Sequence, residues 1–447
     1  MPSTTSPLDL LDQLLAKAKA AGAESADALY GQSVSLSYAQ RLGKLERLER
    51  EESNDLGLRV LLGHRQAVVS SSDTTPAALD ALVERALAMA RVVPEDPHCG
   101  LAAPEQLVAD PPALDICDDG EPSTQTLIDR AKACEEAALA TTGITNSEGA
   151  EAGWTSVEIA LAGSNGFAGR YATSRHSIGV AVLAGEGLGM ERDYDFSTTV
   201  HGADLESADQ LGRNAAERAV KRLNARKAET GQVPVVFDPR VAGSLLGHLA
   251  GAINGVSVAR ETSFLKDKLG EMVFAPGIAI VDDPHRPRGL RSKPFDGEGL
   301  ANRRRLVIED GRLTTWILDL ASARQLGLDS TGHASRGTSG TPSPSTTNLY
   351  LEPGPQSPAE LLADIQSGFY VTEMMGMGVN GVTGDYSRGA AGFWIDKGEL
   401  AFPVSEATVA GNLKDMFPKL TPADDLAFRY ATNAPTLRVE GMTVAGA

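Results

Sequence analysis

The chain has 447 residues, enough for two or three domains at roughly 150 residues each, and 42% of them are hydrophobic, so a sizeable core can form. Asp and Glu number 59 against 41 Lys and Arg, a net charge of −18, which repels phosphate backbones and anionic bilayers; neither direct nucleic-acid nor membrane binding is expected. The 46 glycines are about a tenth of the chain, above the ~7% of ordinary proteins, and imply many tight turns and a β-rich portion.

The segment Met1 to Asp27 lacks a basic stretch followed by an apolar core, and no window approaches the ~18 uncharged apolar residues of a membrane helix, so a cytoplasmic location is expected. Three sparse cysteines, Cys99, Cys117 and Cys134, fit a reducing compartment. Leu8, Leu11, Leu14, Leu15 and Ala18 repeat at helical spacing and predict a helix over 7–22. Short runs at 28–39, 44–51, 56–62 and 66–71, separated by Gly43, Gly57 and Gly63, predict a β-meander. Pro76 opens a second helix, 77–91. A Pro- and Asp-rich connection, 93–123, reads as a surface strap before a third helix, 124–141. Strands are expected at 157–163, 168–184 and 187–200, then an amphipathic helix at 205–227.

Composition shifts near residue 230, which divides the chain into an N-terminal unit, 1–230, and a C-terminal unit, 231–447. The expected class is α+β: an antiparallel sheet with flanking helices first, then a mainly β unit with one buried helix, 241–256. Strands follow at 277–282, 304–309 and 313–318, with Asp310-Gly311 as a hairpin turn, and the closing strands lie at 392–395, 399–403 and 436–444. Ser330 to Asn348 has almost no apolar residue and predicts a long mobile loop.

Candidate chemistry is sparse. A zinc-peptidase helix needs two histidines one turn apart and a glutamate beside the first. The helix around Gly247-His248-Leu249-Ala250-Gly251-Ala252-Ile253 supplies His248 alone, which reads as a satisfied structural histidine or a vestige of a metal site. His98-Cys99 has no second ligand pair nearby. Gly384-Asp385-Tyr386-Ser387-Arg388-Gly389 falls short of a serine elbow, and Gly185-Glu186-Gly187-Leu188-Gly189 lacks the spacing of a dinucleotide loop. The basic islands Arg303-Arg304-Arg305 and 286–293 read as solvated surface or as clamps for a carboxylate.

Three stretches together resemble the TldD/TldE (PmbA) family: the helix around His248, the loop His333-Ala334-Ser335-Arg336-Gly337-Thr338-Ser339-Gly340, and the run from Met377-Gly378-Val379-Asn380-Gly381 through Thr383-Gly384-Asp385-Tyr386-Ser387-Arg388-Gly389 to Phe393-Trp394. Pro403 to Leu413 and Glu440 to Gly446 strengthen the likeness, which extends over essentially the whole chain and leans to the TldE (PmbA) branch. The resemblance implies a cytoplasmic zinc metallopeptidase that processes peptides and unfolded proteins, with zinc and the catalytic glutamate in a TldD-like subunit. Here Leu249 stands where that glutamate would be, Ile253 stands at the second histidine, and no cysteine follows Cys134. The implied role is therefore a non-catalytic subunit without a metal or cofactor of its own, heterodimeric with a TldD-like chain, or a homodimer in isolation. An independent peptidase, and an interaction module acting on DNA gyrase (a label the family also carries), stay open as alternatives. Arg336, Thr383, Asp385, Tyr386, Ser387 and Arg388 are the expected peptide- or partner-binding residues, and His248 marks the vestigial metal-helix position.

Overall fold

The structure, a computed structural model, describes residues 6–446; residues 1–5 and 447, the outer ends of the two expected units, lie outside it. Its class is α+β, as the pattern predicts. Helix α1 (Pro7–Ala20) starts where the Ser6 hydroxyl accepts from the Asp9 amide and places Pro7 in the first turn. Six antiparallel strands follow in one sheet of order β3-β2-β1-β4-β5-β6: β1 (Ser25–Arg41), β2 (Lys44–Leu62), β3 (Arg65–Ser71), β4 (Ile144–Gly163), β5 (Ala168–Ala184) and β6 (Glu191–Thr199). Helices α1 and α2 (Pro76–Ala90) bury Leu11, Leu14, Leu79, Leu82 and Leu87 against β1–β3. Helices α3 (Thr124–Leu139) and α4 (Ala208–Lys221) bury Leu127, Leu211 and Ala215 against β4 and β5.

Two strands outrun the sequence pattern. The runs 44–51 and 56–62 are one strand, β2, because β1 pairs with it from Arg41–Lys44 to Ser25–Leu61. Gly57 does not break it; a Cβ there would sit 2.0 Å from the Thr338 carbonyl oxygen, so the glycine is needed for close approach of another segment. β4 reaches back to Ile144 through a Gly- and Ala-rich stretch of poor strand propensity because β5 pairs along it and β1 flanks its other side from Ala150 onward.

Beyond residue 230, β7 (Gly231–Phe237) and helix α5 (Pro239–Ala252) lead into two further large sheets and a two-stranded one joining 334–335 to 343–344. In the larger, the strands run in the order 399–412, 385–396, 367–375, β7, 437–446, 420–422, and pairing of Ala407–Ala410 with Thr443–Gly446 closes the first five on themselves. The smaller joins 312–313, 305–309, 280–282, 349–351 and 432–433. Asp310 and Gly311 both have positive φ, 48° and 77°, the hairpin turn their sequence predicts. One large core holds Phe237, Leu245, Leu249, Phe369 and Trp394.

The segment 330–348 corrects the expectation of a mobile loop. It is a strap packed between the two halves of the chain, held by hydrogen bonds instead of apolar burial. His333, 1% exposed, meets Asp282 at 3.0 Å and Thr331 at 2.9 Å. Thr347 donates to Asp282 through its hydroxyl at 2.6 Å and its amide at 2.7 Å. Further along, Thr338 donates to Asp55, and the Arg336 side chain is buried with its Nη1 2.5 Å from Asp27. Composition hides this, because Arg336, Thr338 and Thr347 find their partners far away in sequence.

Candidate functional site

Helix α5 is fixed at both ends of its first turn. The Asp238 carboxylate accepts from the Arg240 amide, Pro239 fills the first helical position, and the Arg240 guanidinium reaches Asp193 of β6 at 2.7 Å. Ala242, Leu245, Leu246, Leu249 and Ala252 form its buried stripe. His248 sits on the flank of that stripe, half-buried, and its ring stands at 79° to Tyr386 with centroids 5.8 Å apart.

Tyr386 comes from the strand Asp385–Asp396, whose entry is shaped by the glycine-rich turn before it. A Cβ on Gly378 would lie 1.9 Å from the Ser387 carbonyl oxygen, and the Ser387 amide donates to Gly378 at 2.7 Å, so only glycine lets the turn fold back on the strand. Two residues past Tyr386 on the same face, Arg388 donates through Nε to the Gly376 carbonyl at 3.0 Å and makes no ion pair among the described residues. His248 Nε2 and Tyr386 Oη are both buried without a hydrogen-bond partner. The satisfied structural histidine expected from the sequence is thus not what the structure holds.

Electrostatics sharpen the group. Burial, reinforced by the Arg388 charge, lowers the His248 pKa, so the imidazole is neutral at pH 7. Burial raises the Tyr386 phenol well above its ordinary range, against the pull of Arg388. A neutral imidazole, a neutral phenol and a cation without an anion make an arrangement suited to a carboxylate or a peptide carbonyl. Orphaned buried polar atoms cost free energy, on the order of 1–3 kcal/mol each, unless something meets them.

The remaining expected residues are placed differently. The Thr383 hydroxyl donates to Asp385 at 2.6 Å, and Asn412 donates to the Thr383 carbonyl at 3.2 Å and to Asp385 at 2.9 Å, so both side chains serve their own turn. Ser387 is exposed. Arg336, expected to bind peptide or partner, is instead buried against Asp27, which also binds Arg59 at 2.5 Å. Burial alone would raise the Asp27 carboxyl, but Arg59 and Arg336 outweigh it and hold it below the usual carboxylate range.

Sequence reasoning missed a second buried group beside this junction. Glu298, 7% exposed, accepts from the Leu320 amide at 2.9 Å, and burial followed by the nearby Asp296 charge pushes its pKa up to about 8. No spacing signal announces it, since its surroundings come from segments far apart in the chain.

Comparison with known proteins decides the kinship. Family models for the PmbA/TldA metallopeptidase match in three parts: domain 1 over residues 26–90, the central domain over 117–223 and the C-terminal domain over 230–446. Metalloprotease PmbA of Escherichia coli O157:H7 is 39% identical over 97% of this chain and 94% of its own length. The chain belongs to the PmbA/TldD metallopeptidase family. A PmbA homologue from Haemophilus influenzae is 36% identical over 92% of this chain and 90% of its own. A solved structure from Bacteroides thetaiotaomicron, described as a candidate modulator of DNA gyrase, superposes with a TM-score of 0.91 at 27% identity, covering 99% of this chain and 100% of its own. TldE of Thermococcus kodakarensis, at 20% identity and a TM-score of 0.86 over 97% of this chain and 99% of its own, shares the fold.

The name metalloprotease implies a metal in those relatives, and the donors on α5 do not fit one. One turn of helix past His248 stand Ala252 and Ile253, beside it stands Leu249, and Leu249 and Ile253 are fully buried in the core. Among the described residues no group of three His, Cys, Asp or Glu is placed to hold an ion. No helix of the described residues is long and apolar enough to cross a membrane.

Proposed function

We propose that this chain is the non-catalytic subunit of a cytoplasmic PmbA/TldD-type metallopeptidase that processes peptides and unfolded proteins, heterodimeric with a TldD-like chain that carries zinc and the catalytic glutamate. The observation that carries the reading is local: the helix that presents His248 turns Leu249 and Ile253 into the core, where neither a second ligand nor a general base can stand. With no such group, what the chain can add is binding and exclusion of water. Arg388 would hold a carboxylate or the developing charge on a peptide carbonyl, Tyr386 and His248 would meet the same oxygen atoms, and exposed Ser387 would border the peptide. In this reading 231–447 forms the peptidase-like half of the cleft and 1–230 its support.

The test is reconstitution. The purified chain with a TldD-like subunit should cleave unstructured peptides, each alone should not, and Arg388→Ala should lower the activity of the pair while leaving complex formation intact. Full activity of Arg388→Ala would remove this group from the cleft. The gyrase-related description of the Bacteroides relative supplies the second reading, a protein-interaction module; retention of gyrase by this chain, with no effect of it on peptide cleavage, would favour that one.

A further inference from the structure

A cavity of about 170 Å³ lies where the two halves of the chain meet, apart from the group around His248. Arg59 and the segment 96–100 wall it from the N-terminal half, and Arg260, Glu298 and Asp319 wall it from the C-terminal half. The His98-Cys99 pair, which has no part in the site described above, belongs to this wall. At roughly 30 Å³ per water the space takes about five or six, close to the bulk of a small amino acid.

Two buried carboxylates in this wall are only half satisfied. Glu298, 7% exposed, accepts from the Leu320 amide through Oε2 at 2.9 Å, and its Oε1 has no partner among the described residues. Asp319, 1% exposed, accepts from the Ser322 amide through Oδ1 at 2.8 Å, and its Oδ2 likewise has none. The cations beside them are already engaged: Arg59 is held by Asp27 at 2.5 Å, and Arg324 donates to the His98 and Leu101 carbonyls at 3.1 and 2.7 Å. Among the described residues no three carboxylates converge on the position of a metal ion. What these oxygens suit is a larger cation with several N–H donors, and a primary ammonium offers three. The opposite charge stands at the open side. Arg260 is exposed and makes no ion pair among the described residues, so acceptors inside the cavity are matched by a free guanidinium at its mouth.

We propose that this cavity binds a small zwitterion of the amino-acid class, with its ammonium on Glu298 and Asp319 and its carboxylate on Arg260. The site does not rest on the peptidase reading. Glu298 lies in the field of Asp296, Asp319 and Arg59, with Asp96, His98 and Cys99 also on the cavity wall. Burial, then the Asp296 charge, pushes its pKa up to about 8, so the carboxyl carries a proton at pH 7. An arriving ammonium supplies the positive charge that ionised Glu298 lacks. The proton then leaves to solvent, and affinity rises as pH rises toward 8.

Titration calorimetry of the full chain tests it, with alanine and γ-aminobutanoate as zwitterions of different charge spacing and propylamine as an amine without a carboxylate. At least one zwitterion should bind at millimolar concentration or below, more tightly than propylamine, with heats in different buffers that report proton release. Glu298→Gln keeps the shape of the side chain but cannot ionise, so it should weaken that binding at least tenfold and abolish the proton release. Arg260→Ala should weaken it at least tenfold, whereas Arg260→Lys, which keeps the charge, should retain most of it. Arg260 is exposed and Gln replaces Glu298 at equal size, and unchanged circular dichroism confirms folding of all three variants. No binding of either zwitterion at millimolar concentration, propylamine binding as tightly, proton uptake in place of release, or full affinity in Glu298→Gln or Arg260→Ala would overturn the proposal.

Discussion

Two buried polar groups in this molecule have opposite economies. At the junction of the two halves, Asp27 lies between Arg59 and Arg336, and although Arg336 keeps Nε and Nη2 without partners, each charge there has an opposite charge in contact. At α5, Arg388 has no anion, and His248 Nε2 and Tyr386 Oη have no partner among the described residues. Closed charge is architecture, while an open set of donors is where a ligand belongs. In the proposed reading the peptide meets the open group, where α5 supplies no set of metal donors among the described residues.

The largest expected effect comes from opening the closed group. Asp27→Ala strands two buried guanidinium groups and should cost about 3–5 kcal/mol in denaturant unfolding. The same variant should make the 330–348 strap the first site of proteolysis, whereas the wild-type strap resists. An unchanged midpoint would mean that the junction is not what holds the halves together.

An effect of defined sign belongs to Glu298. Its folded-state pKa of about 8 lies above the unfolded value near 4.5, so its contribution to stability is full below pH ~4.5 and lost as pH rises toward 8. Glu298→Gln should flatten the fall in melting temperature between pH 5 and 8. A variant whose melting temperature keeps the wild-type slope would contradict this origin.

The open group should respond in function more than in stability. Arg388→Ala should reduce reconstituted activity at least tenfold, about 1.4 kcal/mol, with a nearly unchanged melting temperature. Tyr386→Phe removes a hydroxyl that has no partner, so it should be neutral or slightly stabilising in the free chain and still weaken peptide binding. Marked destabilisation by Tyr386→Phe would show that the hydroxyl is bonded within the fold.

What was legible in the sequence follows the range of the interactions. The helices around Leu11, Leu82 and Leu245, the Asp310-Gly311 hairpin and the missing ligands at Leu249 and Ile253 are local, and periodicity or spacing reveals them. The continuous β2, the back-extension of β4 and the ordering of 330–348 depend on partners across the fold, such as Arg336 with Asp27, which are 309 positions apart. Of the five residues singled out between glycines, Tyr386 and Arg388 face His248, whereas Thr383 and Asp385 are consumed by their turn and Ser387 is exposed; only the three-dimensional arrangement separates these roles.

The central claim is that α5 presents a single ligand and so cannot hold a catalytic metal. Zinc content of the isolated chain after mild chelation, measured by mass spectrometry beside that of its complex with a TldD-like subunit, tests it most directly. The account predicts far less than one zinc per isolated chain, unchanged in His248→Ala, and one per heterodimer. Stoichiometric zinc in the isolated chain, lost in His248→Ala, would contradict it.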